Sequence, residues 1–317
     1  IRRNKLKFMW GNGIGLLGIS GKYGKIQNDK KLECLDFIIN SYDYIDTASV
    51  YGENDPINAH LVSILRKKEK KNYPKIINKI GANLVHTEIA LELIEEFEEQ
   101  QNLFKEFTMS AIFLHRPAKN LLDRDFYFHS YLKDNFPEIN FGICTNNLEI
   151  FDLYSERMRV DSLQIAVNLL DYKNNLELLK KAKKKNIKIF ARSCLSSGLL
   201  SGKYLDLSDC NFTDPIRSRF IDNERNKQIL HSRIEAVKEI KTFYSSCLAN
   251  KNLSDNCSLT HFVYSLIKQS PYVDEVIKGG SNLNQLKENS KKPNLLTNEI
   301  IEDVYNKYTI NWSSPYL

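Results

Sequence analysis

Tyr44-Ile45-Asp46-Thr47-Ala48-Ser49-Val50-Tyr51-Gly52 opens as a short strand and closes in a polar loop, and this shape returns downstream. Ile76-Ile77-Asn78-Lys79 and Ile112-Phe113-Leu114-His115 are again runs of β-branched or aromatic residues that finish on one ionisable side chain. Further strand signals lie at 140–144, 162–165, 188–191 and 275–277, and an eighth falls within 7–17. The starts from 44 to 188 are 22 to 35 residues apart, which is room for a strand, a crossover helix and two loops. The reading is α/β, a single (β/α)8 TIM barrel across residues 1–317, with a doubly wound open sheet as the structural rival.

Residues 87–104 put Ala90, Leu93, Ile94, Phe97 and Phe104 on one helical face and glutamates on the other. Asn146 with Glu149, and Asn174 with Glu177, have the spacing of helix N-caps with their N3 partners. The rhythm breaks once, because 87 residues separate the strand starts at 188 and 275. A helical stretch over 223–250 predicts an extra helix and a long loop between strands 7 and 8. Neither a Pro/Gly-rich linker nor a fixed-period repeat interrupts the chain.

With 42% hydrophobic and 26% charged residues over 317 positions, the chain reads as a soluble globular protein, and disordered or collagen-like classes drop out. No run approaches the ~18 apolar residues of a membrane span. The opening Ile1-Arg2-Arg3-Asn4 lacks the apolar stretch of a signal peptide, so a cytoplasmic location is expected. The cysteines at 34, 144, 194, 210, 247 and 257 form no C-x-x-C pair and no group with histidine, so neither a metal site nor a disulfide framework is expected. Net charge is +6, and the basic runs at Lys67, Lys68, Lys70, Lys71 and at Lys180 to Lys185 fall at helix ends. No aromatic residues interleave with them, so no nucleic-acid partner is expected.

A barrel carries its chemistry at the carboxyl ends of its strands. Three consecutive strands bring an acid, Asp46, an amine, Lys79, and an imidazole, His115, and the loop after the first brings a phenol, Tyr51. An ammonium beside a phenol lowers the phenol's pKa, and a carboxylate holds that ammonium in place. Tyr51 is then a proton donor, and His115 orients and polarises a carbonyl oxygen.

The run Tyr44 to Gly52, with Asn78-Lys79 and Leu114-His115-Arg116-Pro117, resembles the aldo/keto reductases over nearly the whole chain. That resemblance implies a barrel that reduces aldehydes and ketones with NADPH or NADH, and a tetrad that falls on Asp46, Tyr51, Lys79 and His115. It also implies that Gln164 hydrogen-bonds the nicotinamide amide, with Asn168 following in the motif. Cys144-Thr145 stand where members often have Ser-Asn, and Arg192 stands where an aromatic residue commonly stacks on the ring. Leu195 to Lys203, which includes Ser196 and Gly198, resembles the segment that wraps the pyrophosphate. The stretch from Lys278 through Gly279, Gly280 and Ser281 to Gln285 and Asn289 resembles the adenosine-phosphate segment. By the same likeness Gly279 and Gln285 replace a common Lys and Arg, and Lys278 is the cation left to compensate. The early glycines Gly11, Gly13, Gly15 and Gly18 lack the strand and helix context of a Rossmann phosphate loop.

The expected function is reduction of a small-molecule aldehyde or ketone, sugar-like by a distant analogy, with NADPH, or NADH in its place. The alternative is a nicotinamide-nucleotide-sensing binding module, since the resembled family includes potassium-channel β subunits. Substrate choice is expected from Arg116 to Asn120, from the excursion after Ala191, where Arg217 and Arg219 lie, and from Trp312 to Leu317. The sequence assigns no oligomeric state.

Overall fold

Eight short strands, each three to six residues long, pair in parallel in the order β1 to β8 and close into a barrel. The computed structural model describes residues 11–52, 55–68, 73–250, 252–254 and 256–308. Lys7 to Trp10 of the first strand window, Lys70, Lys71 and Trp312 to Leu317 lie outside the described residues.

The alternation runs β1 (Gly13–Gly15), α1 (Asn28–Ser41), β2 (Tyr44–Asp46), α2 (Ile57–Arg66), β3 (Lys75–Ile80), α3 (Ala90–Leu103), β4 (Met109–Leu114) and α4 (Leu122–Asn135). It continues through β5 (Asn140–Cys144), α5 (Leu148–Arg157), β6 (Ser162–Ala166), α6 (Tyr172–Lys184) and β7 (Lys188–Arg192). The long connection holds α7 (Glu224–Ala249) and α8 (Leu259–Lys268) before β8 (Glu275–Lys278), and α9 (Leu283–Asn289) and α10 (Asn298–Asp303) follow. The barrel closes where Gly13 and Ile14 pair with Ile277 and Lys278. The extra helix is α7, capped by Asn223, whose side chain accepts from the Asn226 N–H.

Two expected caps fall elsewhere. Asn147, one residue on from Asn146, caps α5 by accepting from Ile150 N–H. Asn146 instead spends its side chain on Ala166, Asn175 and Arg192, across the β5–β7 rim. Asn174 lies inside α6, which begins two residues earlier after Asp171. In the basic run at the end of α6, Lys181 pairs with Asp152 and Lys183 with Asp274, while Lys180, Lys184 and Lys185 are exposed.

Side chains alternate across each strand, so the barrel sorts them into two cores. Tyr44, Ile77, Ala111, Phe113, Cys144, Phe190 and Ile277 fill the lumen, while Ile45, Ile76, Ile112 and their like pack outward under the helices. The lumen has no spare room: a Cβ on Gly13 would lie 1.9 Å from the Tyr44 ring, whose hydroxyl donates to the Val276 carbonyl at 3.0 Å. The same parity carries the chemistry. Two residues beyond the lumen-filling Tyr44, Ile77, Phe113 and Phe190 stand Asp46, Lys79, His115 and Arg192, so all four belong to the inward face.

Candidate active site

Lys79 and Asp46 meet at the rim above the lumen, with the ammonium Nζ 2.5 Å from the carboxylate Oδ2. They are 2% and 4% exposed, so this is a buried ion pair rather than a surface one. Gln164 reaches from β6, where its amide donates to the other carboxylate oxygen of Asp46 at 2.5 Å. Cys144 Sγ in turn donates to Gln164 Oε1 at 3.7 Å.

The loop after β2 is built to hold Tyr51. Thr47 and Ser49 N–H groups donate to the carbonyls of Ile77 and Lys79, which extends the β2–β3 ladder into the loop. Thr47 Oγ1 donates to Asn58 Oδ1, and Asn58 donates to the Ala48 carbonyl and to Gln100. Asn78 points outward from β3, opposite to Lys79, and joins the same Gln100. The Tyr51 ring thereby lies 5.0 Å from Lys79 Nζ, and its centroid is 6.0 Å from that of His115 at 76°.

The protonation states follow from burial as much as from charge. Burial pulls the Lys79 pKa down, but Asp46 and Tyr51 reverse it, and the net direction is upward. Burial raises the Tyr51 pKa, opposed by Lys79 and reinforced by Asp46, and the net direction is again upward. The expected lowering by the ammonium is therefore present and outweighed. Tyr51 is a protonated phenol at neutral pH. Burial, then Lys79, Arg192 and Arg116, push His115 down to about 3, so the imidazole is neutral. Its Nδ1 is buried with no hydrogen-bond partner among the described residues.

These groups face a cavity of about 930 Å³, near the top of the usual ligand-site range. Asp46, Tyr51, Lys79, His115, Cys144, Gln164, Arg192, Leu195, Gly198, Lys203, Lys278, Gly279, Gly280, Ser281, Gln285 and Asn289 line it; Thr145 and Ser196 do not. Ser196 Oγ accepts from Arg233, which also pairs with Asp171 at 2.5 Å. Thr145 caps the next turn by accepting from Asn147 N–H. Asn168 hydrogen-bonds Asp171 and the Leu170 and Asp171 N–H groups, so it shapes the loop after β6. Lys278 directs its ammonium to the carbonyls of Asn289 and Lys291, at 2.7 and 2.8 Å. Burial and the nearby Lys268 lower its pKa to about 8. Gln285 Oε1 accepts from Ser281 N and Oγ. Lys278 and Gln285 are thus both turned onto neighbouring protein groups.

The lining suits a dinucleotide. Ser193, Ser196 and Ser197 hold left-handed φ of 54°, 47° and 55° ahead of Gly198 at 96°. That conformation is strained for serine, and it is held by turn hydrogen bonds from Ser196 N–H to the Ser193 carbonyl and from Gly198 and Leu200 N–H to the Leu195 carbonyl. Gly18 abuts the β8 loop so closely that a Cβ there would lie 2.1 Å from Gly280 O. This contact explains one of the early glycines without a phosphate loop. Tyr204, Tyr264, Ser258 and Glu288 also line the cavity. No strand-end rule points to them, because they sit in the excursion, on α8 and on α9. A second cavity of about 610 Å³ lies beside the first and shares Leu17, Tyr51, His115 and Arg116 with it. No group of three or more potential metal-binding side chains occurs among the described residues, nor is any of their helices long and apolar enough to cross a membrane.

A sequence profile of the aldo/keto reductase family matches residues 13–304. No curated protein sequence gave a significant match. Among solved structures, the glycerol dehydrogenase of Gluconobacter oxydans superposes with a TM-score of 0.70 at 16% identity, over 96% of this chain and 93% of its own. An aldo-keto reductase of Bacillus halodurans in its holo form gives 0.68 at 15% identity, over 95% and 91%. A point mutant of Gox0644 in complex with NADPH gives 0.62 at 13% identity, over 92% and 86%.

Proposed function

The chain belongs to the aldo/keto reductase family, and on that footing we propose that it reduces an aldehyde or ketone to the alcohol with Tyr51 as proton donor. One observation carries this reading: an ion pair, a protonated phenol and a neutral imidazole from three consecutive βα units face one cavity large enough for a dinucleotide and a second reactant. A bound nicotinamide dinucleotide supplies the hydride. Tyr51 delivers the proton to the carbonyl oxygen as that oxygen gains charge, and Lys79 stabilises the phenolate left behind. Asp46, fixed by Gln164, keeps Lys79 in place. His115 donates from its neutral ring to the same oxygen and orients it against Tyr51.

Gln164, Cys144 and Arg192 are assigned to the nicotinamide end, with Thr145, outside the lining, shaping the turn after Cys144. Leu195, Gly198 and Lys203 are assigned to the pyrophosphate, with Ser196, outside the lining, tying their turn to Arg233, and Lys278 through Ser281, Gln285 and Asn289 to the adenosine end. NADPH is the assigned reductant, in line with the NADPH-bound neighbour. NADH is expected to serve as well, because Lys278 is turned onto carbonyls and Gln285 onto Ser281. The enzyme is assigned to the cytoplasm.

Tyr51→Phe tests the mechanism. General acid catalysis is worth about 10²–10⁴-fold, so turnover of a panel of aldehydes, ketones and keto-sugars should fall at least about 100-fold. Fluorescence titration with NADPH and NADH should change by less than about twofold. Undiminished reduction would defeat the mechanism, and a wild type that binds nucleotide but reduces none of the panel would favour a nucleotide-sensing module.

A further inference from the structure

Charge around the reacting groups is one-sided. Asp46 is committed to Lys79 and Gln164. In the second cavity Glu96 accepts from Gly81 N–H and Ser49 Oγ, at 2.9 and 2.5 Å, and so ties the Tyr51 loop to the end of β3. Glu99 lies exposed on α3.

Two guanidiniums face the same region with no carboxylate of their own. Arg116 directly follows His115, lines both cavities, and forms no hydrogen bond or ion pair with the described residues. Arg192, at the end of β7, is held by neutral groups, Asn146 Oδ1 at 3.0 Å and Ser193 Oγ at 3.5 Å. Other arginines of this rim are neutralised: Arg217 by Asp214 and Arg233 by Asp171. The fields of Arg116 and Arg192 both reach His115.

A guanidinium presents a planar fork of donors that matches a carboxylate or phosphate in two parallel hydrogen bonds. Arg116 stands where two cavities join, beside the imidazole assigned to the carbonyl oxygen. A substrate with its carbonyl between Tyr51 and His115 would carry its next substituent past Arg116. We propose that Arg116, which lines the same cavity as Arg192, receives an anionic substituent of the carbonyl substrate, a carboxylate or a phosphate, and so selects acidic aldehydes or ketones over neutral ones. This rests on the reductase reading above.

The test compares matched pairs under saturating cofactor: succinic semialdehyde against butanal, and glyceraldehyde 3-phosphate against glyceraldehyde. In the wild type kcat/KM should favour at least one anionic member by about tenfold, and the pair that shows the preference identifies carboxylate or phosphate. Arg116→Gln should reduce that ratio to within about twofold of unity, mainly through KM, and Arg116→Lys should fall between. Raising ionic strength should erode the wild-type preference, because Arg116 is exposed. Equal efficiencies in the wild type, or a preference that survives Arg116→Gln, would overturn the proposal. A calorimetric arm, succinate and glycerol 3-phosphate titrated into both proteins without cofactor, separates the two readings. If neither these four compounds nor the wider panel of aldehydes, ketones and keto-sugars is reduced, the reductase reading fails. The anion subsite then stands if either anion binds the wild type and binds Arg116→Gln about tenfold more weakly, and falls if neither does.

Discussion

Acidification should destabilise this protein through His115, by an amount set by where the ring sits. The His115 pKa falls from 6.5 to about 3, first because the ring is half-buried and then because Lys79, Arg192 and Arg116 face it. The unfolded chain accepts a proton below pH 6.5 that the folded chain declines until about pH 3. The neutral ring therefore carries no penalty above 6.5, and stability is lost progressively as pH falls from 6.5 towards 3. At pH 5, about 1.5 pH units below the unfolded value, the loss is about 2 kcal/mol, at 1.36 kcal/mol per pH unit. Urea unfolding at pH 8 and pH 5 reads this out when the wild type is compared with His115→Gln, which cannot take the proton. His129 and His261 are also held below the usual value, but both proteins share them and their contributions cancel. The wild type should lose about 2 kcal/mol more than the variant over this interval. Half-molar salt should reduce the difference only in part, since screening acts on Arg116 and not on burial. Stability profiles parallel to within about 0.5 kcal/mol would refute the reasoning and place the imidazole in water.

Three further outcomes follow from the packing. Lys79→Met leaves the Asp46 carboxylate buried with Gln164 as its remaining partner. It should cost about 3–5 kcal/mol in chemical denaturation, and adding Asp46→Leu should recover most of that; a cost under about 1 kcal/mol would mean that water reaches the pair. Gly18→Ala drives a methyl group into the Gly280 carbonyl and should cost about 1–3 kcal/mol by overpacking, with a weaker nucleotide titration because the β8 loop must move; unchanged melting and binding would argue against that contact. Arg233→Ala removes the cation paired with Asp171, whose carboxylate keeps the Asn168 amide, and frees Ser196. It should destabilise by about 3–5 kcal/mol and loosen nucleotide binding through the strained 193–198 turn, and calorimetry showing native affinity would separate that turn from the nucleotide.

Strand ends were the most legible part of this chain, because three consecutive apolar runs stop at an ionisable residue. Asp46, Lys79 and His115 announce themselves in that way, and the stretch 223–250 matches α7 to within one residue at each end. The cap at Asn146 falls elsewhere for a non-local reason. The side chains that bond Asn146, on Asn175 and Arg192, come from 29 and 46 residues away, and no capping motif records such partners. Tyr264 and Glu288 escaped notice because they enter the cavity from helices, where spacing along a strand says nothing.

Residue type and period alone give the alternation of strand and helix, the extra helix before β8, and the three ionisable groups at strand ends with the phenol in the loop after the first of them. Only the closed barrel decided which face of each strand was inward. Through that parity it set Lys79 on Asp46 while sending Asn78 to Gln100. It also decided protonation: a neighbouring ammonium acts in a known direction, but the burial that outweighs it at Tyr51 belongs to the packed rim. The same holds for Lys278, whose charge was legible and whose direction was set by two carbonyls beyond the turn that follows β8.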